Sequence, residues 1–171
     1  MSWEQDPATG LWWSGSDGPY DSKWRRVPHT AEEVLPVARA LAVNADTAGL
    51  ITIAADGFPR CRTVTIGKHV SEDFTEITVA TRATTRKCDE IESSGKATVF
   101  WQDKTGSGAW VSAACTALVE PGDRDDGKAK VRLTTKRLEI QDYNANITGC
   151  GTDCWKPVIL QRADGLWTKV Q

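Results

Sequence analysis

"GLITIAADGFPRCRTVTIG", residues 49–67, decides the fold. Two β-branched runs flank Asp56-Gly57, a dipeptide that marks a two-residue hairpin. The pattern predicts strands over residues 50–55 and 59–66. On the second strand, Arg60, Arg62, Val64 and Ile66 share a face by the period of two. Cys61, Thr63 and Thr65 share the other. Two arginines on a face that also carries core residues call for an anionic partner or for solvent.

Further strands follow downstream. Residues 76–80 read as the next, ending in threonines, and 97–102 ("ATVFWQ") as another. "DKTGSG" turns the chain, and "AWVSAACTALVE", residues 109–120, is a strand long enough to curl. Residues 123–143 read as mostly helical, with Leu133, Leu138 and Ile140 as buried anchors and Thr134 and Thr135 as interruptions. "NANITGCGTDC" reads as loop. The end, "PVILQRADGLWTKVQ", reads as two strands around Ala163-Asp164-Gly165.

Upstream, residues 30–45 predict a helix. Thr30 and Glu33 have capping-box spacing. Val34, Leu35, Ala38, Leu41, Ala42 and Ala45 fall on one face. Pro36 implies either a kink or a later start. Residues 1–28 read as an irregular Trp-rich arm, whose Trp12, Trp13 and Trp24 either pack simply on the surface or pin the arm to the body or to a partner subunit. The remaining domain, 29–171, carries six or seven mostly hairpin-linked strands with inserted helices. That pattern is mainly β and points to a small antiparallel barrel, since closing a sheet removes its exposed edges.

Bulk properties narrow the function. The chain has 171 residues, 40% hydrophobic and 26% charged, with a net charge of −2. This suits one folded domain with a sizeable core. It disfavours nucleic acid as a partner, because a basic face is lacking. No apolar stretch reaches the ~18 residues of a membrane span, and "MSWEQDPATG" lacks the regions of a signal peptide. A cytoplasmic location is the expectation. The five cysteines, Cys61, Cys88, Cys115, Cys150 and Cys154, are odd in number and scattered, which favours reduced thiols. No metal site is expected, because Cys150 and Cys154 are the only close pair and His29 and His69 are remote in sequence. The eight tryptophans supply large apolar area to core or interface.

"TVATRATTRKCDEIESSG", residues 78–95, raises a question of chemistry. A helix predicted over residues 85–93 opens with Arg86 and Lys87, although a helix N-terminus carries partial positive charge and favours acids. Arg86 has Asp89 and Glu90 at pairing distance along the helix, a weak stabilisation of about 0.2–0.5 kcal/mol per pair. That accounts for tolerance of the charges on an exposed face. A bound anion accounts for their position: free amides, the dipole, threonine hydroxyls and two cations would converge on one phosphate.

The order of these pieces resembles the pyridoxamine 5′-phosphate oxidase-like family, the FMN-binding split barrels, in its general stress protein-like branch. The family's strand-two pattern, an Arg followed by apolar residues, stands here as Arg62-Thr63-Val64-Thr65-Ile66. Its following strand ends in a Thr, here Thr81, and its next helix opens Ser/Thr-Arg-Lys, here Thr85-Arg86-Lys87. The Asp-Gly hairpin and the aromatic strand "VFWQD" are also similar. The likeness covers roughly residues 35–120. It implies a six- to seven-stranded antiparallel split β-barrel with flanking helices, a homodimer, and FMN as cofactor. Arg62, Arg86 and Lys87 would hold the phosphate with the Thr85 hydroxyl. Val64 and Thr65 would run along the ring by their backbone, Thr81 would lie under the ribityl chain or the ring edge, and Trp110 would reach the flavin of the partner subunit.

The chain departs from the vitamin B6 oxidase in two places. Ala109-Trp110 replaces an Arg-Gln pair, and "GLWTKVQ" lacks the terminal Arg and His of the vitamin site. Oxidation of pyridoxine phosphate is therefore not expected.

Other chemistry is thin. No nucleophile-elbow pattern appears, and "TGSG" reads as a turn. Cys88, near a helix start, is either a somewhat acidic thiol or a buried apolar contact. His69 reads as a surface residue. The expected function is FMN-dependent oxidoreduction of a small molecule, catalytic residues unassigned. The alternatives are a non-catalytic flavin- or haem-binding module that senses or stores its cofactor, and a reductase using the deazaflavin F420.

Overall fold

A computed structural model describes residues 3–5, 12–14, 29–66, 69–121, 127–145, 147–149 and 156–170. Trp24, Cys150 and Cys154 lie outside the described residues, and so does most of the N-terminal arm. Within that arm, β1 (Trp3–Gln5) and β2 (Trp12–Ser14) pair antiparallel.

Helix α1 (Ala31–Asn44) begins at the expected cap. The Thr30 hydroxyl accepts from the Glu33 amide at 3.3 Å, and the Glu33 carboxylate accepts from the Thr30 amide at 2.9 Å. Pro36 neither ends nor delays the helix. Its missing N–H removes a single bond to the preceding turn, and the buried face of Val34, Ala38 and Ala42 offsets the loss.

The main sheet is antiparallel and has eight strands: β3 (Ala48–Ile53), β4 (Pro59–Val64), β5 (Glu76–Arg82), β6 (Lys96–Gln102), β7 (Trp110–Pro121), β8 (Lys128–Gln141), β9 (Val158–Ala163) and β10 (Leu166–Lys169). Helix α2 (Arg86–Ser94) joins β5 to β6. The path runs β10-β9-β8-β7-β6-β3-β4, and β5 pairs with β8 off that path. The architecture is a mainly β split barrel with flanking helices. Residues 123–143, read from sequence as mostly helical, are instead largely β8, which raises the barrel's strand count above the expected six or seven.

The split is visible along β8. One edge pairs with β7 over nearly its whole length. The other edge is shared: Lys128–Thr134 pairs with β5 and Arg137–Ile140 with β9. Between the halves, Ala114 faces Arg137 while Cys115 faces Thr135, so Lys136 is an extra residue in a β-bulge. A bulge bends and twists its strand, and this one lies where β8 changes partner. Among the described residues no ladder joins β4 to another strand besides β3, so the sheet curls without hydrogen-bonded closure.

The turns follow local chemistry. Asp164 (φ 51°) and Gly165 (φ 83°) both lie in the left-handed region, as a two-residue I′ hairpin requires. The Asp56-Gly57 hairpin is longer than expected. The Gly57 amide donates to the Ala54 carbonyl at 2.8 Å, and the Ala54 amide to the Phe58 carbonyl at 3.0 Å. Gly57, at φ 82°, thus closes a three-residue connection. Inside, Trp101 and Phe74 are fully buried and meet edge to face at 5.7 Å. At the C-terminal hairpin the Trp167 indole N–H donates to the Asp73 carbonyl at 2.9 Å.

Candidate functional site

The face assignment of β4 holds: Val64 and Ile66 are buried, while Cys61, Thr63 and Thr65 are exposed. Arg62 stands on the inward face opposite Leu50. Its Nη2 donates to Glu90 Oε2 at 2.8 Å and its Nη1 to the Thr52 hydroxyl at 2.5 Å. The Thr52 hydroxyl in turn donates to the same Glu90 oxygen. The three side chains form a closed triangle joining β3, β4 and α2. The Arg62 and Glu90 side chains are only 23% and 10% exposed, and Thr52 is fully buried. The anionic partner expected for Arg62 is thus a carboxylate of the chain itself. Arg60 meets both expectations, pairing with the Asp56 carboxylate at 2.6 Å while open to solvent.

Burial favours the protonated form of Glu90. The bonds from Thr52 and Arg62 and the charges of Arg62 and Arg86 outweigh it, and the carboxyl titrates below its ordinary value of 4.5. The pairs expected between Arg86 and Asp89 or Glu90 do not form as hydrogen bonds. The Arg86 side chain is exposed and makes no hydrogen bond among the described residues; it acts on the Glu90 carboxylate through its charge.

The start of α2 is built unusually. Thr85 is the N-cap residue, yet no side chain caps the first-turn amides. Its hydroxyl instead donates backward to the Arg82 carbonyl at 2.8 Å. The oxygen then accepts from Lys87 Nζ at 3.2 Å, and Thr81 Oγ1 lies 3.4 Å away. Cys88 is buried beneath, its sulfur 3.5 Å from the Arg82 carbonyl. A cleft of about 650 Å³ opens beside this cluster, lined by Ala80, Thr81, Arg82, Thr84, Thr85, Gly127 and Lys128. The Ala83 amide donates to the Gly127 carbonyl at 2.8 Å and fixes one wall.

Thr81, Thr85 and Lys87 are therefore brought together, with Arg86 on the same turn. Val64 and Thr65 lie at the end of β4. Trp110 is elsewhere: it packs on Phe100 with centroids 6.1 Å apart, at the start of β7. Thr116, six residues along that strand, pairs with Lys96 just after α2. At ~3.3 Å per residue, this separates Trp110 from the α2 end of the barrel by roughly 20 Å within one protomer.

Sequence reasoning missed Thr52, Glu90, Arg82 and Lys128. Thr52 carried a signal. It alternates with Leu50 on an inward face, and a buried hydroxyl needs a partner. Lys128 was hidden by the helical reading of β8.

No protein-family model matches the chain, and no curated protein sequence matches it. Solved structures do. A Clostridium acetobutylicum protein related to general stress protein 26 of B. subtilis, of the pyridoxinephosphate oxidase family, superposes with a TM-score of 0.60. The match covers 76% of this chain and 95% of that one at 11% identity. The chain has the pyridoxamine 5′-phosphate oxidase-like split-barrel fold. A pyridoxamine 5′-phosphate oxidase-related, FMN binding protein from Nostoc punctiforme matches with a TM-score of 0.59, over 82% of this chain and 94% of that one, at 13% identity. A heme binding protein from Mycobacterium smegmatis matches with a TM-score of 0.54, over 71% and 61% of the two chains, at 14% identity. Among the described residues, no helix is long and apolar enough to cross a membrane.

Proposed function

We propose that the chain is an FMN-binding flavoprotein acting as a homodimer in oxidoreduction of a small molecule. The observation that carries the reading is the group at the α2 N-terminus. There, the Arg86 and Lys87 amides, which no side chain caps, the Thr81 and Thr85 hydroxyls and the Lys87 ammonium stand beside a cleft lined by Arg82 and Lys128, while the Cys88 amide is taken by the Thr85 carbonyl. A phosphate monoester carries about −1.5 to −2 charges near neutral pH, and this end of the barrel offers cations together with hydrogen-bond donors. The residues fit a phosphate-bearing cofactor. Arg86 and Lys87 would hold the phosphate, the Thr85 hydroxyl would join them by turning its proton from the Arg82 carbonyl to a phosphate oxygen, and Thr81 would meet the polyol chain. FMN, when bound, supplies the redox chemistry; the chain supplies position and electrostatics.

A flavin ring needs a second wall. The outer face of the sheet offers apolar surface for a second copy: Ile53 is 42% exposed and Phe58 66%, next to a hollow of about 240 Å³ lined by Ile51, Ile53, Thr98 and Ala114. In this reading Trp110 serves the site of the partner subunit, consistent with its distance from α2 in its own protomer. The backbone at Val64 and Thr65 would border the ring.

Haem binding, the property named for the Mycobacterium smegmatis neighbour, fits less well. None of the described residues that line the cleft is a His, Cys, Met or Tyr, the side chains that serve as axial ligands of haem iron. The deciding experiment is an absorption spectrum of the purified protein, followed by titration with FMN, riboflavin, deazaflavin and haem. Reduction by NADH and NADPH is tested in the same samples. Tight FMN binding with much weaker riboflavin binding supports the reading. Equal affinity for the two, or a haem spectrum, overturns it.

A further inference from the structure

A second cavity, of about 450 Å³, lies at the far end of β6 and β7 from α2. Three parts of the chain wall it: Val37, Leu41 and Ala45 on α1, Asp103 in the turn between β6 and β7, and Asp142 just beyond β8. We propose that this cavity is a binding site for a small organic cation, an amine whose ammonium meets the two carboxylates and whose hydrocarbon body lies along α1. The proposal is independent of any flavin or phosphate at α2.

Three observations carry it. First, the cavity has the size and make-up of a small-molecule site, an apolar wall with a few convergent polar groups. Val37 and Leu41 are only half-buried by the chain itself, so apolar surface is left for a ligand to cover. Second, both carboxylates are half-buried and each keeps an oxygen in reserve. The bonds that Asp103 accepts, from the Thr105 amide and hydroxyl and the Ser107 amide, all go to Oδ2. They hold the carboxyl below its ordinary value, hence charged. Asp142 accepts from the Ala145 amide through Oδ1 at 3.0 Å. The opposite oxygens, Asp103 Oδ1 and Asp142 Oδ2, take none of these bonds. Third, α1 ends at this cavity with no basic residue in its last turn. A helix C-terminus carries partial negative charge and its last carbonyls lack intrahelical partners, so the helix adds to the pull on a cation. Lys104, on the rim, is already answered by Asp46 at 3.2 Å. A bare metal ion suits the cavity less. Among the described residues no group of three or more His, Cys, Asp or Glu gathers, and hard cations take six or more oxygens.

The test uses the full-length protein and three probes that share one body and differ in charge: phenethylamine, 2-phenylethanol and phenylacetate. Affinities come from isothermal titration near neutral pH, and amide chemical shifts locate the site. The amine should bind about tenfold or more tightly than the alcohol, and the acid most weakly. Shifts should gather at residues 37–45 and 103–109. Asp103→Asn and Asp142→Asn keep an acceptor for the turn bonds and remove the charge. Each should weaken the amine by about three- to tenfold and leave the alcohol within about twofold, since its hydroxyl carries no charge for the carboxylates to attract. Ala40 is exposed and also lines the cavity, so Ala40→Phe should fill the space and abolish binding of all three probes without lowering the thermal midpoint. That variant keeps the test decisive even if an Asp→Asn chain does not fold. Alcohol that binds as tightly as amine, amine affinity untouched by these substitutions, shifts that gather at the start of α2, or no amine binding at millimolar concentration each overturns the proposal.

Discussion

Lys87 folds back over the first turn of α2 and sets its ammonium 3.2 Å from the Thr85 hydroxyl. That hydroxyl donates its own proton to the Arg82 carbonyl, so only its lone pairs face the ammonium. The contact holds the cation against the helix dipole beside uncapped amides. A phosphate would complete the arrangement. Charge-assisted hydrogen bonds are worth about 1.5–3 kcal/mol. Lys87→Ala should therefore weaken FMN binding by tenfold or more and leave riboflavin binding unchanged. Isothermal titration of both ligands checks this, and equal losses for the two would remove Lys87 from the phosphate end.

The outer apolar face predicts an assembly. Replacing Ile53 or Phe58 by Asp puts a charge where the second copy would bury 42% and 66% exposed side chains. Light scattering at micromolar concentration should show wild type as a dimer and each variant shifted toward monomer, with FMN affinity reduced. Wild type that is monomeric with FMN bound would rule out a shared site.

Glu90 predicts a pH dependence. Its folded pKa lies below the ordinary 4.5, because the Thr52 and Arg62 bonds and the neighbouring guanidinium charges outweigh burial. The folded state thus binds this proton less readily than the unfolded chain. The stabilisation is fully present above the unfolded value and is lost as pH falls through the folded one. The Arg62→Gln/Glu90→Gln double variant should lose this part of the acid limb in thermal midpoints. It keeps the parts due to Asp73 and Asp103. Burial opposes ionisation of Asp73, but its Ser71 and Thr75 bonds prevail, and Asp103 is held low by Thr105 and Ser107. An acid limb unchanged in the double variant would sink the assignment.

Thiol access gives a test independent of any cofactor. Cys61 is exposed on the edge strand, while Cys88 and Cys115 are buried. Burial pushes the Cys115 thiol up to about 12, against a bond to Thr135 that lowers it. Iodoacetamide on the native protein should label Cys61 and spare Cys88 and Cys115 until the chain unfolds. Peptide mass mapping reads the outcome. Native labelling of Cys88 would mean that the α2 start is looser than its contacts imply.

What the sequence disclosed depended on the range of the forces involved. The Thr30–Glu33 cap, the Asp164-Gly165 turn and the faces of β4 are local, and local chemistry dictates them. β8 was obscured by its own bulge. Ala129, Val131, Leu133 and Thr135 alternate, but the extra Lys136 shifts the phase before Leu138 and Ile140. Spacings such as Val131, Thr135, Leu138 then mimic a helix. The need of Arg62 for an anion was legible, but the identity of that anion was not. Glu90 lies 28 residues away and carries its own i,i+4 alternative in Arg86. Only the docking of α2 against β3 and β4 selects Arg62 over Arg86.

Arg86 supplies the sharpest separation of binding from stability. Its side chain is exposed, makes no hydrogen bond among the described residues, and sits in the first turn against the helix dipole. Arg86→Glu improves the interaction with the dipole by about 0.3–1 kcal/mol. It also sets a second carboxylate one turn from Glu90, where a cation stood before, at a cost of about 0.2–0.5 kcal/mol. These nearly cancel, so the apo variant should melt within a degree or two of wild type, on the scale at which ~1 kcal/mol moves a domain of this size by a few degrees. Binding should change far more. One charge-assisted contact is lost and a repulsive one is made, which together weaken FMN by well over tenfold. Because a ligand stabilises the folded state by mass action, the thermal shift that FMN gives wild type should nearly vanish in the variant. A variant that instead melts several degrees lower without ligand, yet keeps its full FMN shift, would make Arg86 a structural residue and move the phosphate site away from α2.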